Sequence, residues 1–167
     1  MGAVLKDKES AVVVDDAARG ILIASWFGEP TVELVDQYYS WHGAFLDRHR
    51  KERRRFILIT DTYASTRPSP AARKRIADGF KSLGPDVRDF TFQSYIIVHN
   101  ALIRGVLTAL GWLDERLSES VIVATPADAI EGALKDLEKA GIPRPANLSP
   151  QGYRRPARPK EASRETA

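Results

Sequence analysis

Short unbroken apolar runs alternate along this chain with longer stretches whose apolar residues recur at helical spacing. Ala11-Val12-Val13-Val14 and Ile21 to Phe27 read as two strands. The turn Asp15 to Gly20 joins them into a hairpin, with Gly20 able to take a positive φ. Gly28-Glu29-Pro30 then breaks the pattern, and Thr31 is placed to cap a helix running to about Arg50. Leu34, Val35, Tyr38, Trp41, His42, Phe45 and Leu46 form its apolar stripe. Phe56 to Thr60 is an apolar run suited to a strand buried on both faces. Ser69-Pro70 is a helix start, and Gly84-Pro85 ends that helix after Leu83. Phe92 to His99 reads as the fourth strand. Asn100 caps a third helix to about Leu117, apolar on more than one face, which fits either deep burial or an interface, a second copy of the chain included. Val121 to Ala124 reads as a short buried fifth strand. Thr125-Pro126-Ala127-Asp128 opens a last helix, closed by Gly141-Ile142-Pro143 in the manner of a Schellman stop.

The resulting order is β-β-α-β-α-β-α-β-α. A hairpin followed by strand–helix alternation predicts an α/β fold, a mixed five-stranded sheet flanked by four helices. Residues 1–9 are expected to be a flexible N-terminus and 10–142 the domain. Residues 143–167 hold half of the ten prolines and few apolar residues, and are expected to be a disordered tail.

Composition sharpens this outline. The net charge of +3 is uneven: residues 142–167 carry six Lys or Arg against two Glu, leaving 19 basic and 20 acidic residues elsewhere. A near-neutral body with a basic tail argues against a dedicated nucleic-acid-binding domain. The chain has no Cys, so disulfide and thiolate chemistry are excluded, and a cytoplasmic setting fits. MGAVLKDKES lacks the apolar core of a secretory signal, and no run is long enough for a transmembrane helix.

The candidate chemistry gathers after the apolar run at 56–60. Asp61, Thr62, Ser65, Thr66 and Ser69 lie between a strand and a helix N-terminus, a place suited to recognition or to carrying a phosphate. Ser69 also has the plainer role of helix cap. His99, Asn100 and Thr125 stand at other strand ends, where ligands of parallel sheets collect, and with Trp112 they outline a candidate ligand pocket. The plainer roles there are caps for Asn100 and Thr125, and a core or interface position for Trp112. Asp61 could orient His99 as a base, but no nucleophile elbow is present, so no catalytic residue is assigned. Arg48, Arg50, Lys51, Arg53, Arg54 and Arg55 form a basic patch that could meet acidic partners or simply favour the helix end. No metal-ligand spacing and no glycine-rich cofactor motif occurs, so no metal or cofactor is expected.

Order and motifs together resemble the STAS domain, the anti-sigma-factor-antagonist fold, and within it the SpoIIAA-like or STAS/SEC14-type bacterial proteins. The hairpin VVVDDAARGILIASWFGEPT is similar to that family's start. FILITDTYAS stands where the family has its central strand and switch loop, and SYIIVHNALIRGVLTALGWL with SVIVATPADAIEGALKDLEKAG is similar to its closing strand–helix pairs. The resemblance covers about residues 10–141 and implies a non-enzymatic regulatory or scaffolding module that binds a partner protein, with the loop from Asp61 to Ser69 and the second and third helices as the expected contact surface. For the SpoIIAA-like branch it also implies a carrier of lipid or another small apolar ligand. Regulatory members carry a phosphorylatable Ser or Thr at the start of the second helix, usually in an Asp-Ser-(Ser/Ala)-Gly context; here Asp61 is followed by Thr62-Tyr63-Ala64, without the Ser-Gly element.

Overall fold

A computed structural model describes residues 2–99, 105 and 119–160. One sheet holds six strands in consecutive order: β1 Ala3–Asp7, β2 Ser10–Asp15, β3 Ile21–Gly28, β4 Phe56–Ser65, β5 Thr91–Ile97 and β6 Val121–Val123. β1, β2 and β3 pair antiparallel, and β3 through β6 pair parallel. The helices among the described residues are α1 Val32–Glu52, α2 Pro70–Ser82, α3 Val87–Phe90 and α4 Pro126–Lys139.

The α/β class holds, with one strand more than expected. The sixth strand is β1, in the stretch assigned to a flexible N-terminus. It carries too few apolar residues to stand out, yet Ala3 and Leu5 pack on the core while Val4 remains 54% exposed. A turn through Lys8, in the left-handed region at φ 52°, folds it back onto β2. The expected burial of the last strand is corrected too. β6 is an edge strand, and Val121 and Ile122 are exposed. The helix expected from Asn100 falls outside the described residues, as do Asn100 and Trp112.

Local signals explain the ends of the elements. Thr31 accepts from Leu34 N (3.1 Å) at the start of α1, and Ser69 accepts from Ala72 N (3.2 Å) at the start of α2. Thr125 caps α4 by accepting from Asp128 N (3.1 Å), and its hydroxyl donates to Asp128 Oδ2 (2.6 Å) in place of the backbone bond that would complete a capping box. That helix ends with Ile142 N bonded to Leu137 O and Gly141 at φ 71°. Gly20 takes φ 82°, as its turn requires.

Two cores flank the sheet. On one face α1 and α3, with Leu83 just past α2, pack on Val12, Val14, Leu22, Ala24 and Phe56. The α1 stripe is as expected, with Trp41 only half-buried. On the other face α4 lays Ala129, Ile130, Ala133, Leu134 and Leu137 against Ile21, Ile23, Ile57, Ile59, Tyr95 and Ile97. Among the described residues α4 is the helix on this face, and it packs against β3, β4 and β5. Residues 143–160, without helix or strand, reach the β1–β3 part of this face. Leu148 and Tyr153 pack on the second core, Asn147 donates to Ala17 O (3.1 Å), and Tyr153, Arg154 and Pro156 lie beside Val13, Ile23 and Ser25.

Candidate functional site

β4 runs longer than its apolar run suggests. Past Thr60 it continues to Ser65, because Asp61 stays in register with Ser25 and Ile97, and Ser65 with Gly28. Most of the expected loop is therefore strand, and only residues 66–69 lead into α2. One extra residue of β4 lies opposite Trp26, between the Ser25–Asp61 and Phe27–Ala64 pairs, and shifts the alternation. The candidate residues are thereby divided between the two faces of the sheet.

Asp61 continues the side of Ile57 and Ile59, and is only 1% exposed. A carboxylate so placed needs a cation and hydrogen bonds. Arg155 supplies both, with Nε on Oδ2 at 2.5 Å and Nη2 on Oδ1 at 3.3 Å. Oδ1 also accepts from Tyr63 N (2.9 Å). The Arg155 guanidinium lies 4.1 Å from the Tyr63 ring centroid, and that ring sits 4.4 Å from His99. Asp61 therefore serves Arg155 and not His99; no hydrogen bond joins the two, and the Asp–His pair considered from sequence does not form. Close by, burial raises the pKa of the Tyr153 hydroxyl, with the neighbouring Ser25 acting the other way. Neither hydroxyl has a partner in good hydrogen-bond geometry.

Thr62, Ser65 and Thr66 face the opposite side. Thr62 donates to Ile97 O (2.7 Å), and Ser65, buried, donates to Gly28 O (3.3 Å). The Ser65 hydroxyl is thus turned inward, whereas Thr66 is exposed. All three border a cavity of about 370 Å³ between the sheet and α1, α2 and α3, whose apolar walls include Trp26, Tyr38, Leu58, Ile76, Phe80 and Val87. Neither His99 nor Thr125, both expected at a ligand pocket, lines it. His42 borders it too, yet both ring nitrogens are buried and unpartnered. Burial, with the nearby His49 adding to it, lowers the pKa of His42 to about 4, so the ring is neutral at pH 7. This agrees with a packing role.

The basic patch is mostly engaged within the protein. Arg50 bonds Asp86, Asp47 and Leu83 O, and Arg54 pairs with Glu52. Arg48 and Arg55 lie over the rings of Phe45 and Phe92. Lys51 and Arg53 are exposed. Among the described residues no group of His, Asp and Glu could hold a metal ion, and no helix is long and apolar enough to cross a membrane.

Sequence reasoning missed Arg155, Tyr63 and Tyr153. Asp61 reads as a loop residue in the sequence, and only the strand pairing that extends β4 through it buries the carboxylate and creates the need for a cation. Nothing in the sequence indicates that the cation lies 94 positions away.

A hairpin followed by parallel strand–helix units, with strands in consecutive order, defines a mixed α/β fold of the STAS type. Among solved structures, the chain is similar to an anti-sigma factor antagonist from Mycobacterium paratuberculosis. The TM-score is 0.52 at 17% identity, over 77% of this chain and 97% of that one. That likeness shows the fold. No family model matches the sequence, and no curated protein matches it.

Proposed function

We propose that this chain is a regulatory or scaffolding module without chemistry of its own, which binds a partner protein through residues 61–69 and the adjoining helix. The observation that carries this reading is the fold shared with an anti-sigma factor antagonist, a protein named for its action on another protein. Local exposure supports the surface: Tyr63 is 50% exposed at the sheet end, and Thr66 and Arg67 beside it are exposed. A bacterial cytoplasm is the setting proposed. Cross-linked capture from the native cell tests the surface, with Tyr63→Ala and Thr66→Arg as variants. Loss of the same partner from both variants is expected. A partner retained equally by both would reject this surface.

A second reading has one observation of its own. The apolar cavity beneath α1 and α2 fits a carrier of a lipid or another small apolar ligand. Native mass spectrometry of the protein purified from its own cells tests it. A retained small molecule is expected on this reading, and a spectrum of protein alone would reject it; the same spectrum reports a second copy of the chain.

A further inference from the structure

We infer that Asp61 and Tyr63 form an arginine socket, that residues 154–160 occupy it from within the chain, and that a partner's extended basic segment takes the same place through one arginine. This deepens the partner-binding reading above and rests on it for the existence of a partner.

The socket is built for a guanidinium. Asp61 is buried, with both oxygens turned to Arg155, while the Tyr63 ring offers a face 4.1 Å from the same group. Two-point bonding to a carboxylate combined with flat stacking on a ring is what a planar fork provides and a lysine ammonium does not. Tyr63 is itself backed by the His99 ring.

The occupant is held differently from the rest of the C-terminal segment. Up to Tyr153 the segment is anchored by burial: Ile142, Leu148 and Tyr153 pack on the second core. Beyond Tyr153 the attachments are side-chain contacts. Arg155 holds Asp61, Arg158 Nη2 donates to Glu9 O, and Lys6 Nζ donates to Lys160 O (2.6 Å). Among the described residues no main-chain to main-chain hydrogen bond ties 154–160 to the body. The stretch can therefore leave without breaking the sheet ladder, and what its departure gives up is the Arg155 neutralisation of Asp61, which an incoming arginine restores. Its composition suits an exchangeable role: residues 143–160 hold five Arg or Lys and no acidic residue. A permanent structural fastening would show the same static bonds, and exchange in solution separates the two.

The Tyr63 amide reports the state of the socket, because it donates to Asp61 Oδ1. The test follows that amide by NMR in the full chain carrying Arg155→Ala, while a synthetic peptide of residues 154–160 is added. The Tyr63 signal is expected to move away from its wild-type position in the variant and to return as peptide binds. A peptide with Lys in place of Arg155 is expected to bind roughly tenfold more weakly or worse. No return at millimolar peptide, or equal binding of the Lys peptide, would overturn the socket. Should Arg155→Ala fail to fold, the wild-type chain decides through its Arg155 Nε–H signal. Hydrogen exchange at that position much faster than at the β4 amides supports release of the stretch, and protection equal to theirs overturns it. No partner enters this assay, so its failure and the failure of the partner-binding reading are separate results.

Discussion

Gly132 of α4 lies directly against the ring of Tyr95 in β5. A Cβ built on Gly132 would stand 2.7 Å from Tyr95 Cε1 and Oη. The ring cannot swing aside freely, because its hydroxyl donates to Asp136 Oδ2 at 2.6 Å one turn further along the same helix. Gly→Ala inside a helix ordinarily gains about 1 kcal/mol. Here the close approach reverses the sign. Gly132→Ala is expected to destabilise by about 1–3 kcal/mol, the usual range for overpacking. Thermal unfolding checks this, with an expected fall of about 2–4 °C for each kcal/mol.

Gly43 of α1 is the counterpart. Among the described residues a Cβ there meets nothing within 4 Å. Gly43→Ala should therefore stabilise by roughly 0.5–1 kcal/mol through helix propensity alone. A lower midpoint in urea for this variant would show that α1 tolerates no addition on that side.

Buried His42 makes stability depend on pH. Its pKa is about 4 in the folded protein against 6.5 for the free side chain. Below pH 6.5 the unfolded chain binds a proton that the folded chain refuses. Stability from this group is thus fully present above about pH 6.5 and is lost as pH falls toward about 4, for a total of about 3 kcal/mol. His42→Leu should remove that part of the slope. Carboxylates titrate near the low end of the same window, so the quantity to measure is the difference between wild type and variant in urea midpoints from pH 7 to 4.5.

The Asp61–Arg155 pair should be asymmetric toward substitution. Arg155 keeps 26% of its side chain exposed and Asp61 1%. Removing Arg155 leaves a buried carboxylate uncompensated, which costs about 3–5 kcal/mol. Asp61→Asn leaves a guanidinium that can turn to water, so its cost should be smaller, about 1–2 kcal/mol. The double variant Asp61→Asn, Arg155→Ala should be more stable than Arg155→Ala alone. Chemical denaturation of the three proteins checks the order; equal losses in both single variants would show that Asp61 is hydrated in solution.

Much of the framework was legible because it is local. The apolar runs at 21–27 and 56–60, the Thr31, Ser69 and Thr125 caps, and the stops at Gly84 and Gly141 act through neighbours in sequence. β1 escaped because Ala3-Val4-Leu5-Lys6-Asp7 buries only alternate positions at a sheet edge. α3 escaped because a single turn leaves no periodicity to read.

The candidate site was legible as a set of residues and not as a place. Asp61, Thr62, Ser65 and Thr66 read as one loop. Strand pairing extends β4 through them, and the extra residue opposite Trp26 sends Asp61 to one face and Ser65 to the other.

The sequence by itself determined the α/β class, the relative order of β2 to β6 with α1, α2 and α4, and the ends of those three helices, since propensity, periodicity and capping act over a few residues. Only the tertiary structure decided that Arg155 reaches Asp61 and that residues 143–160 cover part of a sheet face. Both follow from needs that have no local expression: a buried carboxylate must be neutralised by whatever cation the fold brings near, and the part of a sheet face that α4 leaves open among the described residues is covered by other chain.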